Sequence, residues 1–212
     1  METANFAAGK TPGTYYLAIG RLVDYKRLDL AVEACTRLGR ELRIIGDRPQ
    51  FRALRRRAGP TVTFLGSVSD EEVRKNLLSC RALLFPGTED FGLVPVEAQS
   101  CGKPVIAHAS GGALETVRGL SPEMAAVENP TGVFFGSQSA EGLVQAMLAF
   151  EAKESEFCPE SIREHAMQFS RDRFRTEMTE FIHSTLREFR VRNQDFDPCR
   201  VRRTVMRKAM KA

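Results

Sequence analysis

The sequence has little of what a metal centre, a disulfide framework or a membrane span requires. Its five cysteines include no C-x2-C spacing and its three histidines are scattered, so a zinc site has little support. No apolar run approaches the roughly 18 residues of a membrane-spanning helix. Residues 1–6 lack the basic start and apolar stretch of a secretion signal. We therefore expect a cytoplasmic protein with reduced cysteines and no bound metal.

Excess charge is confined to one segment of the 212-residue chain. Residues 187–212 carry nine basic and three acidic residues, whereas the preceding 186 residues carry 22 basic and 24 acidic ones. The larger part is therefore not basic, which argues against a nucleic-acid partner. Apolar residues lie among the arginines of the basic tail at positions 201, 205 and 206. The tail either forms an amphipathic helix that binds the anionic inner face of a membrane or is a disordered cationic segment.

What is present is a repeating pattern of short apolar runs, glycine stops and helical spacing. The composition, 42% hydrophobic and 27% charged, is that of a soluble globular domain. The pattern predicts an α/β fold: a doubly wound, mainly parallel Rossmann-like sheet of about six strands, with C-terminal helices. We divide the chain into an incoming connection (1–14), this domain (15–186) and the basic tail (187–212). The predicted strands are 15–19, 42–45, 62–65, 82–85, 104–107 and 133–135.

The loop after the first strand carries two cations, Arg21 and Lys26, just before a helix. A helix N-terminus offers unpaired N–H groups and the positive end of the helix dipole, and both favour an anion. Arginine adds a bidentate donor and lysine a compact charge, and a diphosphate suits both. The alternative is that these are two solvated surface cations.

The loop after the fourth strand carries two carboxylates, Glu89 and Glu97. Gly87 allows a tight turn after the strand, and Gly92 lets the backbone come close to a ligand. A helix is expected to begin near residue 93, with Pro95 in its first turn. Carboxylates accept hydrogen bonds from sugar and ribose hydroxyls, so the pair suits a carbohydrate, although two surface acids remain the alternative.

A third loop, after the fifth strand, contains the pair Gly111-Gly112. Paired glycines ahead of a helix indicate either a tight connection or a cradle of backbone amides, and the sequence does not decide between them. His108 precedes this loop. A lone histidine at a strand end is more often structural than catalytic, and we expect it to be structural here.

These three motifs together resemble the retaining glycosyltransferases of family 4, which have the GT-B fold. The resemblance spans residues 15–117 and rests on Arg21-x4-Lys26, the E-x7-E of Glu89 to Glu97, and Gly111-Gly112-x2-Glu115. Residues 86–97 look most like bacterial polysaccharide mannosyltransferases that use GDP-mannose. The resemblance implies the C-terminal, donor-binding half of such an enzyme, which needs no metal or other cofactor.

The resemblance also implies roles for individual residues. Arg21 and Lys26 would hold the donor diphosphate and stabilise the charge on the leaving nucleoside diphosphate, and Glu89 would contact the transferred sugar; these three would be the catalytic residues. Glu97 would accept from the ribose hydroxyls. The backbone of Phe91, Gly92, Leu93 and Val94 would lie near sugar and phosphate, and Gly46, Asp47 and Val68 would line the base pocket.

The expected partners follow from the same resemblance. The substrate would be a GDP- or UDP-linked sugar, and an N-terminal GT-B domain, in cis or in trans, would complete the enzyme and carry most of the acceptor site. The acceptor would be a saccharide or a lipid-linked saccharide. The alternative function is a free-standing module that binds a nucleotide sugar without transferring it. A Rossmann dehydrogenase is excluded because no G-x-G-x-x-G follows the first strand.

Overall fold

The computed structural model describes residues 13–121 and 127–192. The strands are β1 (Tyr16–Ile19), β2 (Leu42–Ile45), β3 (Val62–Gly66), β4 (Ala82–Phe85), β5 (Val105–His108), β6 (Gly119–Leu120) and β7 (Gly132–Phe135). The helices are α1 (Leu28–Leu38), α2 (Phe51–Arg57), α3 (Asp70–Ser79), α4 (Leu93–Ser100), α5 (Ala113–Thr116), α6 (Ala140–Ala152), α7 (Pro159–Met167) and α8 (Arg171–Arg192). Single 3-10 turns, Asp24–Lys26 and Glu154–Glu156, precede α1 and α7.

Within the described residues, the strands form one parallel sheet in the order β3-β2-β1-β4-β5-β7-β6. The predicted α/β fold is confirmed. The sheet has a seventh strand that the sequence did not predict, β6. It has only two residues, too few to produce a recognisable apolar run, and it is held by its pairing with β7.

Alternate residues of β1 enter two cores on opposite faces of the sheet. Tyr16 and Ala18 belong to a cluster with residues of α1 and α6, whereas Leu17 belongs to a cluster with residues of α3, α4 and α5. Both faces are therefore covered, which is why the strands are apolar throughout rather than alternating with polar residues.

Capping residues and glycines account for the helix boundaries, and one helix was not predicted from the sequence. The Ser69 hydroxyl accepts a hydrogen bond from the Glu72 amide (3.3 Å) at the start of α3, as a serine cap should. Helix α4 begins at Leu93, where it was expected. Helix α2 was missed because only Leu54 in it is buried and four of its seven residues are arginine, so it lacks an apolar periodicity.

A charged cluster fastens the amino ends of three strands to the end of α6. The Glu151 carboxylate accepts from Tyr16 Oη at 2.9 Å and from two nitrogens of Arg40 at 2.9 and 2.8 Å. Arg81, just before β4, donates to Glu151 at 3.1 Å and makes a bidentate contact with Glu154. The Arg40 hydrogen bond is the main cause that lowers the pKa of Glu151.

Residues 171–192 form the described part of a second compact unit, helix α8. The helix crosses the predicted domain boundary at residue 187, while residues 1–12 and 193–212, the predicted connection and most of the tail, lie outside the described residues. None of the described helices has both the length and the hydrophobicity of a membrane span. Six large apolar side chains of α8 are 41–65% exposed at helical spacing: Phe174, Met178, Phe181, Ile182, Leu186 and Phe189.

The four cysteines that the structure describes are free thiols. Cys35, Cys80 and Cys101 are buried, and Cys158 is exposed. Burial raises the pKa of the Cys35 and Cys80 thiols to about 12, which makes them inert as nucleophiles at neutral pH.

We predict that replacing Glu151 by glutamine destabilises the fold. The neutral side chain cannot balance the two arginines beside it, and breaking these partly buried, charge-assisted hydrogen bonds costs roughly 1–3 kcal/mol. Urea denaturation of Glu151→Gln would measure this loss. The control is Glu71→Gln, which removes an exposed i,i+4 contact to Lys75 and should cost about 0.5 kcal/mol or less. Equal losses in the two variants would contradict the prediction.

We also predict that the free energy of unfolding falls as the pH is lowered through the range in which a free histidine titrates. His165 is buried, its Nε2 lies 3.1 Å from the Thr116 carbonyl oxygen, and its Nδ1 has no partner among the described residues. Burial and the nearby Arg118 charge lower the pKa of His165. The unfolded chain therefore takes up the proton first, so stability is complete above the unfolded pKa and decreases below it.

The measurement is urea denaturation between pH 5 and pH 8 for the wild type and for His165→Gln. The glutamine amide can still donate to the Thr116 carbonyl but does not titrate. The variant should lose less stability on acidification than the wild type does. Identical pH dependence in the two proteins would show that another group is responsible.

Candidate functional site

The candidate site lies at the carboxyl edge of the sheet, between β1 and β4. These strands are neighbours in the sheet, but the chain leaves β1 towards β2 and leaves β4 towards β5, on the opposite side. In doubly wound folds, ligands bind in the crevice that such a reversal opens. The loops after β1 and β4, where the sequence placed its cations and carboxylates, flank this crevice.

The loop after β1 is fastened to the loop after β2. A Cβ atom on Gly46 would lie 1.9 Å from the Gly20 carbonyl oxygen, so only glycine fits there. The Leu22 amide lies 3.3 Å from the Asp47 carbonyl oxygen, and the Gln50 amide donates to the Leu22 carbonyl at 3.0 Å. Gly46 therefore has a structural role, whichever ligand the loops bind.

The loop after β4 packs directly on the backbone that carries Lys26. A Cβ atom on Gly87 would lie 2.7 Å from the Tyr25 carbonyl oxygen and 2.8 Å from Lys26 Cα. Any side chain at this position would force the two loops apart. Gly87 thus permits the approach that brings Lys26 and Glu89 together.

Lys26 and Glu89 form an ion pair across the crevice between Nζ and Oε1. Their side chains are only 13% and 19% exposed, and the ammonium also lies 5.6 Å from the centroid of the Tyr25 ring. The two residues predicted to contact the diphosphate and the transferred sugar therefore contact each other in this structure.

The paired glycines after β5 hold the backbone of the Glu89 loop. The Gly112 amide donates to the Glu89 carbonyl at 2.7 Å, and a Cβ atom on Gly112 would lie 2.4 Å from Phe91 Cα. Gly111 has φ +60°, and its own Cβ atom would lie 2.4 Å from the Glu89 carbonyl oxygen. Of the two possibilities left open by the sequence, the structure has the tight connection.

His108 connects three loops rather than standing free. Its Nε2 lies 3.2 Å from the Gly136 carbonyl oxygen, and its Nδ1 lies 3.3 Å from the Thr88 hydroxyl. Because a carbonyl can only accept, Nε2 carries the hydrogen in the neutral ring and Nδ1 accepts from Thr88. Both nitrogens are engaged, which supports the expected structural role.

Glu97 lies in the second turn of α4 and is half-buried. Its carboxylate has no hydrogen-bond or ion-pair partner among the residues that the structure describes. Burial, and then the negative charge of Asp70 at the start of α3, raise the pKa of Glu97. A partly desolvated carboxylate without a partner is poised to accept hydrogen bonds from a ligand.

The remaining cationic and backbone groups lie around the crevice. Arg21 is exposed and has no hydrogen-bond or ion-pair partner in the described part of the chain, unlike Lys26. Helix α4 begins after Gly92 (φ 78°) without a side-chain cap, so its first N–H groups are open to an anion. Leu93 is 61% exposed and Val94 is half-buried.

The residues predicted for the base pocket and for the sugar differ in exposure. Asp47 is exposed and accepts a hydrogen bond from the Arg48 amide at 2.8 Å, while Val68 is half-buried and packs on the core. Phe91 is 40% exposed and its ring centroid lies 5.9 Å from that of Phe169. These residues follow β2, β3 and β4, so the sheet order places them along one edge.

A contact between the side chains of Gln50 and Asp24 was not predicted from the sequence. The Gln50 side-chain amide donates to the Asp24 carboxylate, which adds a side-chain contact to the backbone bonds between the loops after β1 and β2. The partners are 26 residues apart, and no local pattern links them. No group of three or more potential metal ligands occurs within residues 13–121 and 127–192.

Comparison with known proteins gives a family match over most of the chain. The model of the family described as "Glycosyl transferases group 1" matches residues 2–169. Human alpha-1,3/1,6-mannosyltransferase ALG2 is 37% identical over 106 residues, which cover 46% of this chain and 24% of that protein. The GDP-mannose-dependent monoacylated alpha-(1-6)-phosphatidylinositol monomannoside mannosyltransferase of Corynebacterium glutamicum is 34% identical over 113 residues, covering 46% of this chain and 30% of that protein.

Solved structures show the same fold. Sucrose-phosphate synthase from Thermosynechococcus elongatus has a TM-score of 0.68 at 24% identity and covers 84% of this chain. Anabaena Alr3699/HepE, solved in complex with UDP and glucose, has a TM-score of 0.69 at 20% identity and covers 82%. The chain spans 47% and 49% of these two proteins, and a quarter to a third of the curated relatives above. Because the family match extends over most of its length, the chain belongs to the group 1 glycosyl transferases.

Proposed function

We propose that the chain is the donor-binding half of a hexosyltransferase and holds a nucleotide sugar in the crevice between β1 and β4. The observation that carries this proposal is the convergence there of Lys26 with Glu89. The helix that follows Glu89 carries Glu97, whose carboxylate has no hydrogen-bond or ion-pair partner among the described residues. A nucleotide sugar offers a diphosphate, a ribose and a sugar, and the site offers a group suited to each. Neither a metal ion nor another cofactor is required, because cationic side chains and helix N–H groups supply the positive charge.

The diphosphate would lie between the loop after β1 and the start of α4. Arg21, which has no partner among the described residues, can make a bidentate contact with phosphate oxygens. The N–H groups at the start of α4, which has no side-chain cap, add the positive end of a helix dipole. Together with Lys26 they would stabilise the charge that develops on the leaving nucleoside diphosphate.

Ribose would bind at Glu97 and the transferred sugar at Glu89. A carboxylate can accept from two neighbouring hydroxyls, and no described residue occupies the Glu97 carboxylate. The base would then extend along the sheet edge towards Asp47 and Val68. Phe91, Gly92, Leu93 and Val94 would line the sugar and phosphate positions.

Mannose is the sugar we favour, with GDP as its carrier and retention of configuration. Human ALG2 and the C. glutamicum relative are named as mannosyltransferases, and the latter as GDP-mannose-dependent. The acceptor would be a saccharide or a lipid-linked saccharide, as in polysaccharide assembly at the inner face of a membrane. Alr3699/HepE was solved with UDP, so the base must be tested directly.

A second domain, in cis or in trans, would complete the enzyme. The chain spans about half of the solved relatives, and the remaining half would carry the acceptor site and close the crevice. If the chain instead functions alone, it would be a nucleotide-sugar-binding module without transfer activity. Sugar transfer by the isolated chain would exclude the binding module.

We predict that the chain binds GDP and GDP-mannose, measured by isothermal titration calorimetry, with UDP and ADP as competitors for the base pocket. Lys26→Met should lower the affinity for every nucleoside diphosphate by roughly tenfold or more, because it removes a charge-assisted contact of about 1.5–3 kcal/mol. Failure of the wild type to bind any nucleoside diphosphate or nucleotide sugar would refute the proposed function.

We further predict that Glu97→Gln weakens GDP binding by roughly tenfold, because a ribose hydroxyl loses a charged acceptor. The same substitution should leave the affinity for 2′,3′-dideoxy-GDP unchanged, since that nucleotide has no ribose hydroxyl to donate. Asp90→Asn, an exposed acid in the preceding loop, is the control for loss of one negative charge. Equal effects of Glu97→Gln on the two nucleotides would place the ribose elsewhere.

A further inference from the structure

We propose that Glu89 is a built-in competitor for Lys26, and that this competition makes the site prefer an intact nucleotide sugar to a bare nucleoside diphosphate. The inference rests on the proposed function, since it concerns the same crevice. It assigns Glu89 a role in the empty site and in product release, in addition to its contact with the sugar.

The two cations of the loop after β1 are not equivalent in the structure. Lys26 is neutralised by Glu89, its one ion-pair partner among the described residues, whereas Arg21 has none. A diphosphate can therefore engage Arg21 at once. To engage Lys26, it must replace the Glu89 carboxylate.

The ion pair is held by the backbone on both sides. Gly87 packs against Tyr25 and Lys26 with no room for a side chain, and Gly112 donates a 2.7 Å hydrogen bond to the Glu89 carbonyl. Both side chains are more than four-fifths buried. Water and salt screen the attraction between two such charges less than between exposed ones, and side chains held in place lose less conformational freedom when they pair. The free energy needed to separate Lys26 from Glu89 is therefore larger than for an ordinary surface salt bridge.

Displacing Glu89 leaves a largely buried carboxylate without a partner beside an anionic ligand. An unpaired buried charge is costly. A nucleoside diphosphate has no group to offset that cost, because its terminal phosphate repels the carboxylate. A nucleotide sugar places hydroxyls next to the diphosphate, and these can donate to Glu89 and restore its hydrogen bonding.

The consequence is a preference that depends on the whole donor. Glu89 lowers the affinity of the site for the nucleoside diphosphate that remains after transfer. It lowers the affinity for the intact nucleotide sugar much less. Once the sugar has left, the carboxylate regains Lys26 as the product departs. Glu89 is thus a specificity-determining residue for donor over product.

The test measures the dissociation constants of GDP and GDP-mannose for the wild type, Glu89→Gln and Asp90→Asn by calorimetry, with UDP and UDP-glucose as a second pair. Glutamine keeps the size and the accepting oxygen of Glu89 but removes its charge. We expect Glu89→Gln to bind the nucleoside diphosphate about tenfold more tightly and the nucleotide sugar equally or less tightly. Asp90→Asn removes a charge from the next residue, which is exposed and has no ion pair in the described part of the chain. It should change the affinities for the two ligands by the same factor.

Four outcomes separate the possibilities. Tighter binding of the nucleoside diphosphate by Glu89→Gln, with a rise in its affinity relative to the nucleotide sugar that Asp90→Asn does not show, supports the inference. A rise that comes only from weaker binding of the nucleotide sugar overturns it, because Glu89 then contacts the sugar without competing for Lys26. An unchanged ratio in Glu89→Gln, with binding retained, overturns the inference and leaves the proposed function standing. Absence of binding in the wild type and all variants overturns both. Circular dichroism of each variant, with Glu89→Ala as a second substitution, identifies any loss of binding that is due to unfolding.

Discussion

Parallel pairing of β1 with β4 is the constraint on which the site depends. The pairing makes neighbours of two strands that are separated in sequence by β2 and β3, and it turns their carboxyl ends to the same edge. In the strand order, β2 lies on the far side of β1 and β5 on the far side of β4, so the chain leaves these two strands in opposite directions. The resulting crevice is a property of topology, and the side chains in it supply the chemistry.

Contact between backbones then sets the width of the crevice. Gly46, Gly87 and Gly112 each lie where a Cβ atom would come within 2.7 Å of a backbone atom of another loop. Such distances are far shorter than van der Waals contact, and a larger residue would shift an entire loop. The Lys26–Glu89 pair is therefore positioned by glycines that have no side chain to bind anything.

The sequence predicted the fold and the loops of the site because both depend on local pattern. Apolar runs with glycine stops define the strands, and the motif residues follow those runs directly. Two elements were not predicted, also for local reasons. Strand β6 is too short to show an apolar run, and helix α2 is too rich in arginine to show an apolar periodicity. The contact of Lys26 with Glu89 joins residues 63 apart and required the three-dimensional arrangement. His108 was expected to be structural, and the two contacts it makes, with Thr88 and Gly136, could not be identified from the sequence.

The charged cluster around Glu151 lies at the amino edge of the sheet, and the crevice lies at the carboxyl edge. The starts of these strands are thus fastened at one edge of the sheet, and the loops of the proposed base pocket leave from the other. If the proposed function holds, substitutions in the loops after β2 and β3 would change the base pocket without touching the cluster that holds β1, β2 and β4. A change of nucleotide preference should then cost little stability.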